Sequence, residues 1–252
     1  MQQVTQDWLE VPARDGRTIR VRKSPHPRAR HLRLTVTAQG ARLSCPHNTH
    51  PAKLFAFLKK HGPWLEGKLA ELCLDGTRAP QLEVGIANQI MLAGEDLALS
   101  WHVSARSGIE RFTDSLVLRL PEPWGEASLG RARNLLRDYL ETCVRQDVSC
   151  WLPGYVDQLG RAPTGIRMRV LKSLWGSLDS RDRISLDLSL SLAPREALRY
   201  VLVHELAHLA VRDHSRRFWA QVEALMPHYK PQRNWLRQHG GVLKTEIDRL
   251  LG

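Results

Sequence analysis

The sequence is poor in cysteine: Cys45, Cys73, Cys143 and Cys150 are the only four in 252 residues. No two of them form a Cys-x-x-Cys pair, which excludes a thiolate zinc ribbon and a thioredoxin-type redox motif. So few thiols in so long a chain do not make a disulfide scaffold, and free, mostly buried cysteines in a reduced compartment are expected. No apolar run approaches the ~18 residues that span a bilayer. The opening residues Met1–Gly16 lack the apolar stretch of a secretory leader, so a cytoplasmic protein without a transmembrane segment is expected. No low-complexity tract and no repeated segment stands out.

What is present is ordinary in kind and unusual in charge. Hydrophobic residues make up 42% and charged residues 25%, close to globular usage, which argues against wholesale disorder. The length suits one large domain or two small ones. The net charge is +11, a balance that favours polyanionic partners such as nucleic acid, nucleotides or acidic membrane surfaces. Solubility alone is the plainer explanation, and composition does not choose between them. The charge is densest where Arg14, Arg17, Arg20, Arg22, Lys23, Arg28, Arg30 and Arg33 follow one another. They are spread over strands and turns rather than gathered in one block.

Hydrophobic periodicity gives an α+β organisation. Alternation at Ile19 and Val21, then Leu32, Leu34 and Val36, reads as strands broken by Pro25-His26-Pro27 and Gln39-Gly40. Residues 51–74 carry apolar positions at helical spacing, divided by Gly62-Pro63. Residues 80–120 return to strand-like alternation. A long amphipathic helix is expected over 127–152, with some continuation to Leu159. Pro163–Val170 reads as a strand. Ile184, Leu186, Leu188, Leu190 and Leu192 alternate with polar residues, which predicts one strand over that whole span. Pro194 opens a further helix, Arg216–Leu225 another, and Lys244–Leu251 a last one. The expected division is a strand-rich N-terminal region with a helical pair over 1–125 and a catalytic domain over 126–252.

The chemistry concentrates at residues 204–208, His-Glu-Leu-Ala-His. On a helix, positions four apart share a face, so His204 and His208 can reach one cation. Glu205, beside the first of them, is placed to take a proton from an activated water. A catalytic zinc site needs three protein ligands and one open position. His214 is the preferred third ligand, because Arg212-Asp213 can end the helix and turn the chain back. Glu223 competes but lies about two helical turns further on. The bland reading is a helix with two core histidines; the apolar helix and the further histidine weigh against it. His26, His31, His47, His50 and His61 have no ligand spacing.

The segments Tyr200–His208, Asp213–Trp219 and Met226–Tyr229 resemble the YgjP-like metallopeptidase family, relatives of the SprT-like zinc proteins. Arg169–Ser177 is similar to its R-x-x-x-x-x-W-G-S signature, and the resemblance extends, more weakly, to the N-terminal third. Leu178 departs from the family, where Cys is common. The resemblance implies a gluzincin-like metallohydrolase core, a small sheet with helices whose edge strand lies beside the H-E-x-x-H helix. It also implies Zn²⁺ held by His204, His208 and His214, with Glu205 as base. Some members are described as nucleotide pyrophosphatases acting on UTP.

Three functions follow. The first is a zinc peptidase, to which the free edge of the Ile184–Leu192 strand could add an extended peptide. The second is a nucleoside triphosphate pyrophosphatase using the same site, usually with Mg²⁺ on the phosphates. There, Arg169 and Lys172 would stabilise charge on a phosphoryl or carbonyl oxygen. The third is a nucleic-acid-binding module with a structural zinc, disfavoured because three histidines leave a position open. Trp175 is either a substrate-side residue or a packed indole before a tight turn, where Gly176 would permit an unusual backbone angle. Phe218 and Trp219 are expected in the core. His228, Tyr229 and Lys230 are candidates to line the cleft.

Overall fold

The computed structural model describes residues 4–5, 8–14, 16–27, 29–37, 40–71 and 82–252. It is the α+β mixture expected. Strands β1 (Val4–Thr5), β2 (Trp8–Pro12), β3 (Thr18–Pro25), β4 (Arg33–Thr37) and β5 (Gly40–Cys45) precede helices α1 (Pro51–Lys60) and α2 (Gly62–Glu71). Then come β6 (Asn88–Leu92), β7 (Glu95–Val103), β8 (Gly108–Arg111), β9 (Ser115–Leu120) and the long helix α3 (Glu126–Leu159). The chain closes with β10 (Gly165–Arg169), β11 (Gly176–Leu178), β12 (Arg183–Asp187), a 3-10 turn (Leu188–Ser191), α4 (Arg195–Ala207), α5 (Arg216–Leu225) and α6 (Tyr229–Leu251). Among the described residues no helix is long and apolar enough to cross a membrane.

Contacts divide the chain into two compact units, 1–80 and 81–252. The division expected between residues 125 and 126 therefore falls inside the second unit. The reason lies in the core. Ile90, Leu99, Leu116 and Leu118 are buried in the same cluster as Leu136, Leu186 and Leu202. The β6–β7 turn is also fastened directly ahead of α4, where the Ala93 and Gly94 amides donate to the Ser191 and Leu192 carbonyls at 2.8 and 2.9 Å.

In the first unit, period-two alternation places Leu9, Val11, Val21, Ala41, Leu43 and Cys45 on one sheet face. Leu54, Leu58, Leu65 and Leu69 of α1 and α2 bury that face. The sheet order is β1-β2-β3-β5-β4, with β3 and β5 parallel and the flanking pairs antiparallel. The Nδ1 of His50 accepts the Ala52 amide at 3.3 Å and caps α1, so this histidine is structural. Burial pushes the Cys45 thiol up. Cys143 is half-buried and Cys150 exposed, so the thiols are less uniformly buried than expected; Cys73 lies outside the described residues.

The second unit repeats that topology. Its four-stranded sheet has order β6-β7-β9-β8, with β7 and β9 parallel and both outer pairs antiparallel. No sequence repeat announces this. α3 covers the sheet through Ala132, Leu136, Leu140, Val144 and Val148, every fourth residue. It runs past Pro153 and ends at Gly160, whose φ of +64° is the left-handed C-terminal stop.

The remaining three-stranded sheet has order β10-β12-β11. Here the strand expected over Ile184–Leu192 stops at Asp187. The Asp187 carboxylate accepts the Ser189 amide at 2.8 Å and starts the 3-10 turn. Leu188, Leu190 and Leu192 remain buried, so the apolar alternation outlasts the strand. β12 is central, parallel to β10 and antiparallel to β11. It has no free edge for a peptide; the edges belong to β10 and β11. The last helix, expected from Lys244, begins fifteen residues earlier at Tyr229.

Candidate metal centre

α4 is buried almost all round, with Ala197, Leu198, Val201, Leu202, Val203 and Leu206 in the core. A polar side chain leaving it therefore meets protein or a cleft. His204 and His208 leave from one face. Phe218 of α5, fully buried, lies against the imidazoles of His204, His208 and His214 with ring centroids 4.8, 4.4 and 4.8 Å away.

The chain turns after His208 and returns His214 to the same place. His214 Nε2 lies 3.0 Å from His204 Nε2. Ligand-capable atoms of the three histidines all lie within 4.8 Å of one another, the one such cluster among the described residues. The turn is held at both ends. Asp213 Oδ1 accepts the Ser215 amide at 2.9 Å, just ahead of α5. The Arg212 guanidinium pairs with Asp182 and donates to the Asp179 carbonyl at 3.1 Å.

The donor set fits a divalent cation such as zinc. His208 Nδ1 is 3.0 Å from the Val211 carbonyl, and donating there leaves Nε2 with its lone pair free. His204 Nδ1 is buried without a hydrogen-bond partner, so packing against Phe218 and Tyr200 sets that ring. Burial, with the neighbouring His208, His214 and Arg233, depresses His204 to about 3. Burial also lowers His208. Both rings are therefore neutral near pH 7, the form that ligates. Burial pushes Glu205 up to about 8; a cation held by the three imidazoles would oppose that burial and favour the carboxylate.

β11 forms the facing wall. A Cβ at Gly176 would lie 2.7 Å from Glu205 Oε1 and 2.8 Å from its Cγ. Gly176 is not among the positive-φ glycines. Close approach of Glu205, not an unusual backbone angle, requires the glycine here. Trp175 lies against α6 at Gly240, where a Cβ would collide with the indole. Lys244 sits 4.5 Å over the same ring. Lys244 Nζ also donates to the Leu171 and Leu174 carbonyls at 2.6 and 3.0 Å and pairs with the fully buried Asp187 at 2.7 Å. Asp187 in turn accepts the Leu171 amide at 2.5 Å. Residues 171–175 are thus held from below by one ion pair.

The result is a cleft of about 440 Å³ lined by Leu174, Trp175, Leu178, Tyr200, Val201 and Arg212 together with Glu205 and the three histidines. Arg169 and Lys172 are exposed and do not line it. Glu223 points elsewhere and pairs with Lys230 at 3.3 Å on the surface. Tyr229 is buried, stacked between Tyr200 and Trp219 with centroids at 6.0 and 5.7 Å, and neither His228 nor Lys230 reaches the cleft. Sequence reasoning missed Tyr200 and Arg212. Tyr200 precedes His204 by four residues and so shares its helical face; that signal was available. Arg212 is placed by Asp182, distant in sequence.

A helix-borne His-Glu-x-x-His, a third histidine brought to it and a cleft above them define a metallopeptidase-type site. Residues 30–239 match the model of the YgjP-like metallopeptidase domain, and the chain belongs to that family. Among solved structures it is similar to the crystal structure of the metallopeptidase zymogen of Pyrococcus abyssi abylysin. The two are 30% identical over 36% of this chain and 92% of that one, with a TM-score of 0.34. No curated protein matches the chain significantly.

Proposed function

We propose that the chain is a zinc-dependent peptide hydrolase. His204, His208 and His214 hold the ion and Glu205 is the general base. The observation that carries this reading is the convergence of three imidazoles within 4.8 Å beside the buried Glu205 on one cleft wall. Zinc held by these residues would supply a water of pKa about 7 and polarise a carbonyl bound beside it. Glu205 accepts the proton of the attacking water and returns it to the leaving amine. Gly176 lets the β11 backbone lie against Glu205, so the carboxylate is confined by main chain rather than by a side chain that could swing away. Leu174, Leu178 and Val201 give the cleft apolar walls, which suit a peptide side chain better than a triphosphate.

The nucleoside triphosphate reading, with Mg²⁺ on the phosphates, keeps the +11 charge and Arg212 in its favour. It loses the contribution expected of Arg169 and Lys172, which lie outside the cleft.

Glu205→Gln tests the assignment. Hydrolysis of a panel of unfolded proteins and peptides is expected to fall by about 10²–10⁴, with zinc content unchanged. Activity that survives the substitution removes Glu205 as base. Release of pyrophosphate from nucleoside triphosphates that vanishes in Glu205→Gln, with no peptide cleavage, replaces the peptidase with a pyrophosphatase.

A further inference from the structure

The sheet of the first unit has one face buried under α1 and α2 and one face open. Register fixes what stands on the open face. Trp8, Arg22, Arg42 and Thr35 are consecutive cross-strand partners on β2, β3, β5 and β4. Arg20 stands opposite Glu10 in the next row, and Ser24, Ser44 and Arg33 form another. Arg20, Arg22, Arg33 and Arg42 are all exposed. Arg20 pairs with Glu10 at 3.5 Å and lies 5.0 Å over the Trp8 ring.

Arg22 and Arg42 are like charges on adjacent strands, an arrangement that destabilises a sheet. The second unit shows that the topology does not need it. On the matching face of β6–β9 the partners are Ser100, Val117 and Glu110 in one row and His102, Arg119 and Gly108 in the next. The single arginine there, Arg119, is paired with Glu110. Two sheets of one topology therefore differ in this respect only by choice of residue, and the first keeps a costly one.

We propose that the open face of β2–β5 binds a single strand of nucleic acid, with Arg22, Arg33 and Arg42 on phosphates and Trp8, together with the Arg20 guanidinium over its ring, as the surface on which a base stacks. Flat aromatic and arginine-bearing surfaces bind single strands this way, without sequence readout. Width keeps this face out of a duplex major groove: strands ~4.8 Å apart make a four-stranded face about 14 Å across before side chains. A B-DNA major groove of about 12 Å admits a two-stranded ribbon. Ser24, Ser44 and Thr35 add hydroxyls on the same face for sugar and phosphate oxygens. The proposal does not depend on the chemistry of the metal centre.

The test uses the full chain and a fluorescently labelled, mixed-sequence single strand of about twelve nucleotides, within the usual footprint of such surfaces. Anisotropy is read across a salt series. For single strands the log–log salt slope is about 0.7 per neutralised phosphate. Arg22→Ser/Arg33→Ser/Arg42→Ser should therefore flatten the slope by about 2 and weaken binding roughly a hundredfold at ~0.1 M salt. The corresponding triple Arg→Lys variant should restore the slope. Trp8→Ala should weaken binding about tenfold with the slope unchanged, and Trp8→Phe should recover most of that loss. Arg119→Ser, on the matching sheet, should change neither. Thermal melting of each variant reports that it is folded. Unaltered binding by the triple serine variant, equal binding of the same strand as a duplex, or indifference to Trp8→Ala would each overturn the proposal.

Discussion

The two sheets of matching topology, β2–β5 and β6–β9, are put to different uses. The first is closed by its own short helices, and its core ends there, at Leu54, Leu58, Leu65 and Leu69. The second is covered by α3, whose buried stripe belongs to the cluster that also holds β12 and α4. One sheet completes itself; the other is a layer in the foundation of the metal centre. Their open faces diverge as well, four exposed arginines on one against a single paired arginine on the other. Backbone pairing fixes which residues share a face, and leaves the chemistry of the outward face free.

The difference is broken most severely at Lys244. Its ammonium and the Asp187 carboxylate are 15% and 0% exposed, so Lys244→Met leaves an uncompensated charge in the foundation of the second unit. Removing one partner of such a pair costs about 3–5 kcal/mol. The melting transition of the second unit should fall accordingly while that of the first stays in place. Adding Asp187→Leu should recover much of the loss, because the pair replaced by apolar groups is often neutral. Equal melting of Lys244→Met and the unsubstituted chain would mean that the ion pair does not support the unit.

Leu43→Ala and Leu118→Ala sharpen the same point. Both leucines are fully buried, one in each sheet, and each substitution should cost about 2–5 kcal/mol. Metal content separates them. Leu118→Ala weakens the unit that positions the histidines, and binding is coupled to folding, so its zinc occupancy should fall on mild heating before that of the unsubstituted chain. Leu43→Ala should unfold the first unit and leave zinc bound. Loss of zinc in Leu43→Ala at a temperature where the second unit is folded would show that the units are not separate in stability.

These contrasts also mark what the sequence reveals. His204, Glu205 and His208 are legible because their geometry is local: helical spacing alone puts both histidines on one face. His214 is legible because a short turn limits where it can go. The alternation of Ile184–Leu192 misleads beyond Asp187. Side-chain burial has period two there, but the Asp187 carboxylate caps a 3-10 turn, and burial cannot distinguish the two backbones. Gly176 and Gly240 are visible as glycines, yet their reasons are tertiary: Glu205 approaches one and Trp175 the other. Gly240-Gly241 stands in the interior of α6, ahead of the Lys244 where a last helix is expected from sequence. The repeated sheet topology is invisible for a similar reason. Strand order and direction are set by pairing over long range, and two unrelated sets of alternating residues satisfy the same pattern.

The smallest expected effects are opposite in sign, which makes them a close test of the open faces. Arg42 and Arg119 stand on matching inner strands, β5 and β9, opposite the parallel neighbouring strand at Arg22 and His102 respectively. Arg42→Thr removes a like-charge neighbour of Arg22 and adds a residue that strands favour. It should stabilise the first unit by about 0.2–1 kcal/mol, read as a rise of about 1–8 °C in its melting transition, since ~1 kcal/mol moves a domain of this size by about 4–8 °C. Arg119→Thr removes an exposed ion pair with Glu110, worth about 0–1 kcal/mol, and should leave the second unit unchanged or slightly less stable. A stabilised Arg42→Thr variant would mean that the first sheet carries its arginines at a cost to folding, as a binding surface does. Destabilisation in both variants would mean that the arginines on each face serve the sheet itself, and the contrast between the two faces would lose its functional meaning.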